Sequence, residues 1–288
     1  MSASFEQFNQ HRALLFAIAY RMLGSVVDAE DMVQETFLRW QQVSEAVVKS
    51  PKDYLATIIT RLCIDHLRSA RVQREQYIGT WLPEPLVTQE TSDPAQIVEL
   101  ADSLSTAFLV LLETLSPTER AVFLLREVFD YNYSEIGQIV DKTPANCRQI
   151  FKRSRQHLAA RKPVFDSQSQ QHQLTEKFLE AWNTGDLQGL LMLLAQDITL
   201  YSDGGGKVTS AIKPIHKAAK VARFLLAIRR SKKVSSFVCQ LAQINYQSGI
   251  ITYVDGYVHS ILTFDQAPSG QGVGSREWGV GEGVESRE

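Results

Sequence analysis

The chain has 288 residues, 44% of them hydrophobic and 22% charged, with a net charge of -2, which describes a globular protein with real cores and excludes a disordered or fibrous one. Cys63, Cys147 and Cys239 are isolated and odd in number, with no CxxC or HExxH spacing, so no metal site or disulfide framework is expected, only free thiols in a reducing cytoplasm. Residues 1–10 are polar and the longest apolar stretches, such as 107–112, are too short to cross a bilayer, so the sequence predicts a cytoplasmic protein with no signal peptide and no membrane contact.

Helical periodicity dominates up to about residue 162. A first helix is predicted over residues 8–23, with Gly24 as its stop. Ser25 opens a second, with Asp28 as its capping partner. That helix gathers Ala29, Met32, Val33, Thr36, Phe37 and Trp40 on one face and leaves Glu30, Asp31, Gln34, Glu35 and Arg39 largely outside it. After a loop at 43–50, Pro51 fits the first turn of a third helix. The third helix is expected to bury Leu55, Ile58, Ile59, Leu62 and Leu67 and to expose Thr60, Arg61, Asp65, Arg68 and Arg71.

The stretch YIGTWLPEPLVTQETSDP breaks this pattern with Gly79, Pro83, Pro85 and Pro94. It reads as an extended linker, yet Tyr77, Ile78, Trp81 and Leu82 are too apolar for a free tether and call for a docking surface. Between Arg74 and Arg120 there is no Lys or Arg, while eight Asp and Glu fall there. The near-neutral net charge therefore conceals basic helices on either side of an acidic connector. Helices resume over 95–160, with Ser116-Pro117 starting one of them.

Residues 134–162, SEIGQIVDKTPANCRQIFKRSRQHLAARK, read as a short apolar helix, a turn and a second helix. From Lys142 to Lys162 there are seven Lys or Arg and no Asp or Glu. On a helical wheel Cys147, Ile150, Phe151 and Leu158 gather on one side with Ser154 between them. Ala145, Arg148, Gln149, Lys152 and Gln156 point away, flanked by Asn146 and Arg153 on one side and Arg155 on the other. A helix that packs one stripe and presents Arg, Gln and Lys from the other suits a DNA major groove, where Arg takes guanine, Gln takes adenine and Lys takes phosphate. The competing reading is a solvated basic helix closing a bundle; the helix–turn–helix spacing and the absence of acids weigh against it.

After Pro163 the character changes. Residues 166–173 form a polar Gln/Ser-rich hinge, and 174–194 is helical with a break at Thr184-Gly185-Asp186. ITLYSD, VTSAI, SSFVCQLAQI, ITYV and YVHSILTF then read as strands, with one more helix at about 216–230 among them. This is an α+β domain. Tyr201, Asp203, His216 and Asp255 are conceivable acid–base groups but form no recognised catalytic spacing, so no enzymatic activity and no cofactor are expected. SDGGGKV lacks the GxxxxGK[ST] spacing of a phosphate loop and reads as a tight turn between strands. Residues 266–288, with GVGSRE echoed by GVESRE, are of low complexity and are expected to be disordered.

Two helical domains in this order, the second with a helix–turn–helix, resemble the extracytoplasmic-function sigma factors of the sigma-70 family. AYRMLGSVVDAEDMVQETFLRW is similar to the polymerase-clamp segment, DYLATIITRLCIDHLRSAR to the helix that meets the −10 element, and LSPTERAVFLLREVFDYNYSEIGQIVDKTPANCRQIFKRSRQHL to the −35-reading domain. The remainder resembles a subgroup carrying a fused SnoaL-like domain, a ketosteroid-isomerase-like cone, on the strength of YIGTWLPEPL and of SDGGGK at 202–207. The resemblance implies two all-α sigma domains followed by an α+β cone: sigma region 2 at 5–75, a linker at 76–94, sigma region 4 at 95–162, a hinge at 163–173, the SnoaL-like domain at 174–265 and the tail at 266–288.

It further implies an alternative sigma factor with core RNA polymerase and promoter DNA as partners. Asp31, Gln34, Glu35 and Arg39 would meet the beta-prime clamp. Arg61, Arg68 and Arg71 would lie along the −10 backbone, with the loop at 43–50 taking up a flipped base. Family members often carry Asn where this chain has Arg61, so phosphate contact is the expectation there rather than base reading. Asn146, Arg148, Gln149, Lys152, Arg153 and Arg155 would contact the −35 element. Tyr77, Trp81 and Leu82 of the linker would dock against Asp203, Gly204, Gly205, Gly206 and Lys207. A dedicated anti-sigma factor is compatible with this organisation but not required by it. The family's last strand and its Asn-Pro-Asp-Lys-Leu motif have no counterpart after Asp265, which implies a cone short of an edge strand; the tail beyond it has no periodicity with which to pack, so trimming it is expected to change transcription little. The alternative is a helix–turn–helix regulator with a ligand-sensing C-terminal domain, which would have no need of the acidic clamp-type helix.

Overall fold

The computed structural model describes residues 3–43, 48–74, 82–88, 105–159, 168–203, 211, 213–229, 237–266 and 273–279. The chain divides into two compact units, Met1–Tyr77 with Leu109–Lys162 and Ile78–Phe108 with Pro163–Glu288. The first is helical: α1 (Ala3–Leu23), α2 (Val26–Gln41) and α3 (Pro51–Arg74) are followed by α4 (Thr106–Leu112, which begins in the second unit), α5 (Pro117–Glu127), α6 (Tyr133–Val140) and α7 (Pro144–Ala159).

Local signals account for most of these helix ends. The Ser25 hydroxyl accepts the Asp28 amide at 3.2 Å, and Ser116 with Glu119 forms a complete capping box in front of Pro117. α1 starts five residues before the predicted position because tertiary contacts extend it. The Trp40 indole donates to the Ser4 carbonyl at 2.9 Å, and Phe5 and Phe8 lie 6.0 and 4.8 Å from the Phe37 ring.

The third helix departs from its expected exposure. Thr60, assigned to the solvent face, is fully buried, while Ile58 and Leu62 are only partly so. α3 packs against α1 and α2 and also against α5 and α6, so its buried stripe is wider than one apolar face.

The second unit is a seven-stranded sheet in the order β1-β4-β5-β6-β7-β2-β3, with α8 (Gln168–Thr184), α9 (Leu187–Leu193) and α10 (Ala218–Arg229). Its strands are β1 (Val87–Thr88), β2 (Thr199–Asp203), β3 (Ile215–His216), β4 (Phe237–Ile244), β5 (Gln247–Val254), β6 (Tyr257–Gln266) and β7 (Val273–Gly279). All neighbours pair antiparallel except β2 and β7. The core between helices and sheet is built on Phe178, Trp182, Leu190, Leu200, Val221, Leu225, Ile250, Leu262 and Phe264. The β5–β6 turn places Asp255 at φ 53° and Gly256 at φ 86°, the left-handed pair that a two-residue hairpin demands.

Three sequence boundaries are corrected. The hinge at 163–173 is helical from Gln168, because Gln171 donates to the Phe264 carbonyl at 3.0 Å and His172 lies 3.0 Å from the Ser248 hydroxyl. The linker at 76–94 contributes a strand, Val87–Thr88, paired with Ile244 and Gln243 of β4. The tail at 266–288, read as disordered, supplies β7 between β6 and β2. The place of the strand missing from the motif match is thus filled by a segment without apolar alternation, since main-chain pairing on both edges does not depend on side-chain pattern.

Candidate nucleic-acid and polymerase interfaces

The helix–turn–helix is α6 and α7. The Asn132 side-chain oxygen caps α6 by accepting from the amides of Ser134 at 2.9 Å and Glu135 at 3.1 Å, and Glu135 accepts the Asn132 amide at 2.7 Å. Asp141 closes α6 in the left-handed region at φ 55°. Thr143 then accepts the Asn146 amide at 3.2 Å and opens α7. The turn passes so close that a Cβ on Gly137 would lie 2.5 Å from the Lys142 carbonyl oxygen, which explains a glycine inside an otherwise apolar helix.

α7 buries Cys147, Ser154 and Leu158. The Ser154 hydroxyl is satisfied by the Ile150 carbonyl at 3.0 Å. Asn146, Arg148, Gln149, Lys152, Arg153 and Arg155 are all exposed, as expected. Alongside them runs an open groove of about 450 Å³ lined by Tyr133, Arg148, Phe151, Lys152, Arg155 and Gln156. Tyr133 organises it: the Arg148 and Arg126 guanidiniums lie 5.3 and 5.4 Å from its ring centre, and Phe151 meets it edge-on at 6.2 Å. Phe151 in turn stacks on Phe123 at 5.9 Å. An aromatic column thus reaches from the core to Arg148 and holds its guanidinium by cation–π attraction. The sequence reading did not single out Tyr133 or Arg126; an aromatic residue opening the scaffold helix was the available signal.

Arg61, on α3, is exposed but engaged. Its Nε donates to the Ile139 carbonyl at 2.8 Å and its Nη2 to the Gln138 carbonyl at 2.9 Å. These belong to the last turn of α6, where carbonyls lack helical partners and a cation is favoured. Further contacts join α1–α3 to α4–α7: Arg120 donates to the Met22 carbonyl at 2.5 Å and to Glu113 at 2.7 Å, Arg21 lies over Phe129 at 5.4 Å and Lys52 over Tyr131 at 5.6 Å. Burial, with Asp53 and Glu135 adding, pushes the Tyr131 hydroxyl up to about 12. Arg68 is exposed and pairs with Asp65 at 3.3 Å. Arg71 lies on α3, its side chain outside the described residues.

On α2, Asp31 and Gln34 are exposed, and Glu35 and Arg39 form an ion pair at 2.9 Å. The same helix exposes Val27 at 63% and Leu38 at 53%, so its outer face is apolar at both ends around a polar centre. Neither residue belongs to the apolar face that the helical period gathers.

In the second unit the buried Leu82 amide donates to the Asp203 carboxylate at 2.9 Å, and Asp203 is itself only 4% exposed. Tyr77, Trp81, Gly204, Gly205, Gly206 and Lys207 lie outside the described residues, as does 44–47 of the flipped-base loop. Asn245 was not anticipated. Its side chain accepts the Leu86 amide and its own amide donates to the Leu86 carbonyl, both at 2.8 Å. Thr88 accepts the Tyr246 amide at 3.1 Å. Asn245 and Tyr246, at φ 51° and 61°, form the tight β4–β5 turn, so the hairpin tip is also the clasp on the linker. Its signal was an Asn between two strand-like runs.

Among the described residues no group of His, Cys, Asp and Glu is placed to hold a metal ion, and no helix is long and apolar enough to cross a membrane.

Residues 7–72 match the family model of sigma-70 region 2 and residues 105–158 that of sigma-70 region 4. The chain is 35% identical over 263 residues to the ECF RNA polymerase sigma factor SigJ of Mycobacterium tuberculosis, covering 88% of this chain and 83% of that protein. It is 33% identical over 175 residues to the ECF RNA polymerase sigma factor SigG of the same species, covering 53% of this chain and 47% of SigG. The crystal structure of Mycobacterium tuberculosis SigJ superposes with a TM-score of 0.73 at 31% identity, covering 96% of this chain and 95% of that one. With both sigma regions in order and a likeness that runs through the C-terminal sheet, the chain belongs to the extracytoplasmic-function sigma factors of the sigma-70 family, non-enzymatic factors of transcription initiation.

Proposed function

We propose that this alternative sigma factor reads the −35 element through α7, follows the −10 backbone with α3, meets the beta-prime clamp of core RNA polymerase with the outer face of α2, and is modulated by a SnoaL-like cone that grips its linker. The observation that carries the reading is the α7 face: Arg148, Gln149, Lys152 and Arg155 stand exposed without an acidic residue on the helix, while Cys147, Ser154 and Leu158 anchor its back. On α2, Val27 and Leu38 bracket Asp31 and Gln34, an amphipathic surface of the kind a partner coiled coil covers. Arg61 becomes available to phosphate when α3 and α6 separate, so the carbonyls of Gln138 and Ile139 compete with DNA for it.

The test is run-off transcription with core polymerase on promoters differing at single −35 positions. Arg148→Ala and Gln149→Ala should each shift preference at one base, by about 1–3 kcal/mol for a bidentate contact. Lys152→Ala and Arg155→Ala should weaken all promoters alike. Equal losses for all four variants on every promoter would mean that α7 reads no bases. Reversing Asp31 and Glu35 together should weaken capture of core polymerase, and capture at wild-type strength would remove α2 from the interface.

A further inference from the structure

We propose that the exposed face of α10 is a third DNA-contacting surface, which takes the backbone phosphates of duplex DNA; this goes beyond the two contacts of the sigma regions. The charge distribution points there. From Gly204 to Val254 the chain carries nine Lys and Arg and no Asp or Glu, although the whole protein is net negative. The helix–turn–helix segment carries seven cations within 21 residues, so the cations here are sparser but equally unaccompanied by acids. Lys213, Lys217, Lys220 and Arg223 are all exposed, and none forms an ion pair among the described residues.

Several exposed arginines outside the two basic segments are paired, although Lys49 and Lys177 are exposed with no ion pair among the described residues. Arg12, Arg39, Arg68 and Arg126 are each exposed or partly so, and each pairs with a carboxylate, of Glu30, Glu35, Asp65 and Asp130 respectively. Cations left in mutual repulsion lower stability unless an anion joins them. Lys217 moreover sits at φ 80°, a conformation in which glycine is easier and a lysine costs about 1 kcal/mol.

The residues between the cations select the class of anion. Ala219 and Ala227 are exposed there, and Phe224, the aromatic residue between them, packs against the core of this unit. Single-stranded nucleic acid is held by stacking on aromatic rings, and protein partners by large anchors such as Trp, Tyr or Leu. A row of cations over small side chains suits a phosphate backbone. From Lys217 to Arg223 the helix rises about 9 Å, the axial span of about three phosphates of one strand. In a protein already delivered to promoter DNA, a contact too weak to act alone gains from high effective concentration.

The experiment uses the full chain assembled with core polymerase. Lys217→Gln, Lys220→Gln and Arg223→Gln are combined, and complexes on a promoter duplex and on the same duplex with scrambled −35 bases are titrated with salt. Three lost phosphate contacts should flatten the slope of log K against log salt by about 2–3 on both duplexes, at about 0.9 per contact. In parallel, Lys220→Cys carrying a photo-crosslinker should form an adduct with DNA. A wild-type salt slope in the triple variant, or adducts formed only with polymerase subunits, would overturn the proposal. Arg148→Ala serves as the independent arm: if it leaves −35 preference unchanged while the triple variant flattens the slope, the reading of α7 fails and this inference stands.

Discussion

Asp203 shows how one side chain joins distant parts of the chain. It stands at the end of β2, and its carboxylate accepts the amide of Leu82, which is 121 positions earlier and equally buried. Asp203→Ala would leave that amide without its acceptor at a cost of about 1–3 kcal/mol, whereas Asp203→Asn keeps an oxygen in place. Limited proteolysis should therefore cut the linker of the Ala variant faster than that of the Asn variant, and equal rates would show that the bond does not hold the linker. The thiols make a contrasting case, because burial is the largest influence on each. It raises Cys63 and Cys147, with Asp28 adding at Cys63, and pushes Cys239 up to about 12. Cys63 and Cys147, both buried, should not react with an aromatic disulfide reagent until the chain unfolds, and rapid labelling of either in the native protein would contradict that burial.

Helix ends carry the next level of organisation. In front of α5 the Ser116 hydroxyl, and then the Ser116 amide, hold the Glu119 carboxyl below its ordinary value of 4.5, with His157 and Arg153 contributing in the same direction. A carboxyl lowered in the folded state adds stability that is present above its unfolded value and lost as pH falls through the folded one. The gap in melting temperature between wild type and Glu119→Gln should thus be widest above about pH 5 and close on acidification. A gap independent of pH would mean that the cap acts without its charge. The start of this helix was legible in the sequence as Ser116-Pro117, since capping signals sit within a few residues of one another. The clasp formed by Asn245 was not, because its partner, Leu86, lies 159 positions away.

At the scale of the whole molecule, β7 changes what truncation should do. With β7 between β6 and β2, ending the chain at Asp265 removes the strand that links the two halves of the sheet. Such a chain should give a C-terminal unit that is cut readily by protease and melts earlier, and with it altered transcription, through the loosened hold on Leu82. Ending it at about Asp166 should have at least as large an effect. Wild-type melting and transcription after the cut at Asp265 would show β7 to be dispensable.

The two sigma regions, the exposed set on α7 and the change of architecture after Pro163 were determined by the sequence alone. Each rests on short-range regularities: a 3.6-residue apolar period, caps at fixed offsets, and a run of cations without acids. Only the tertiary structure decided that Arg61 is held by α6, that Thr60 is buried on a helix packed on more than one side, that Tyr133 seats Arg148, and that the linker enters the C-terminal sheet as a strand. It also decided that a glycine-rich segment becomes β7. These depend on main-chain carbonyls, ring faces and strand edges, groups that nearly every residue can supply or accept. What engages them is set by spatial neighbours far apart in the chain, so local pattern carries no trace of the choice.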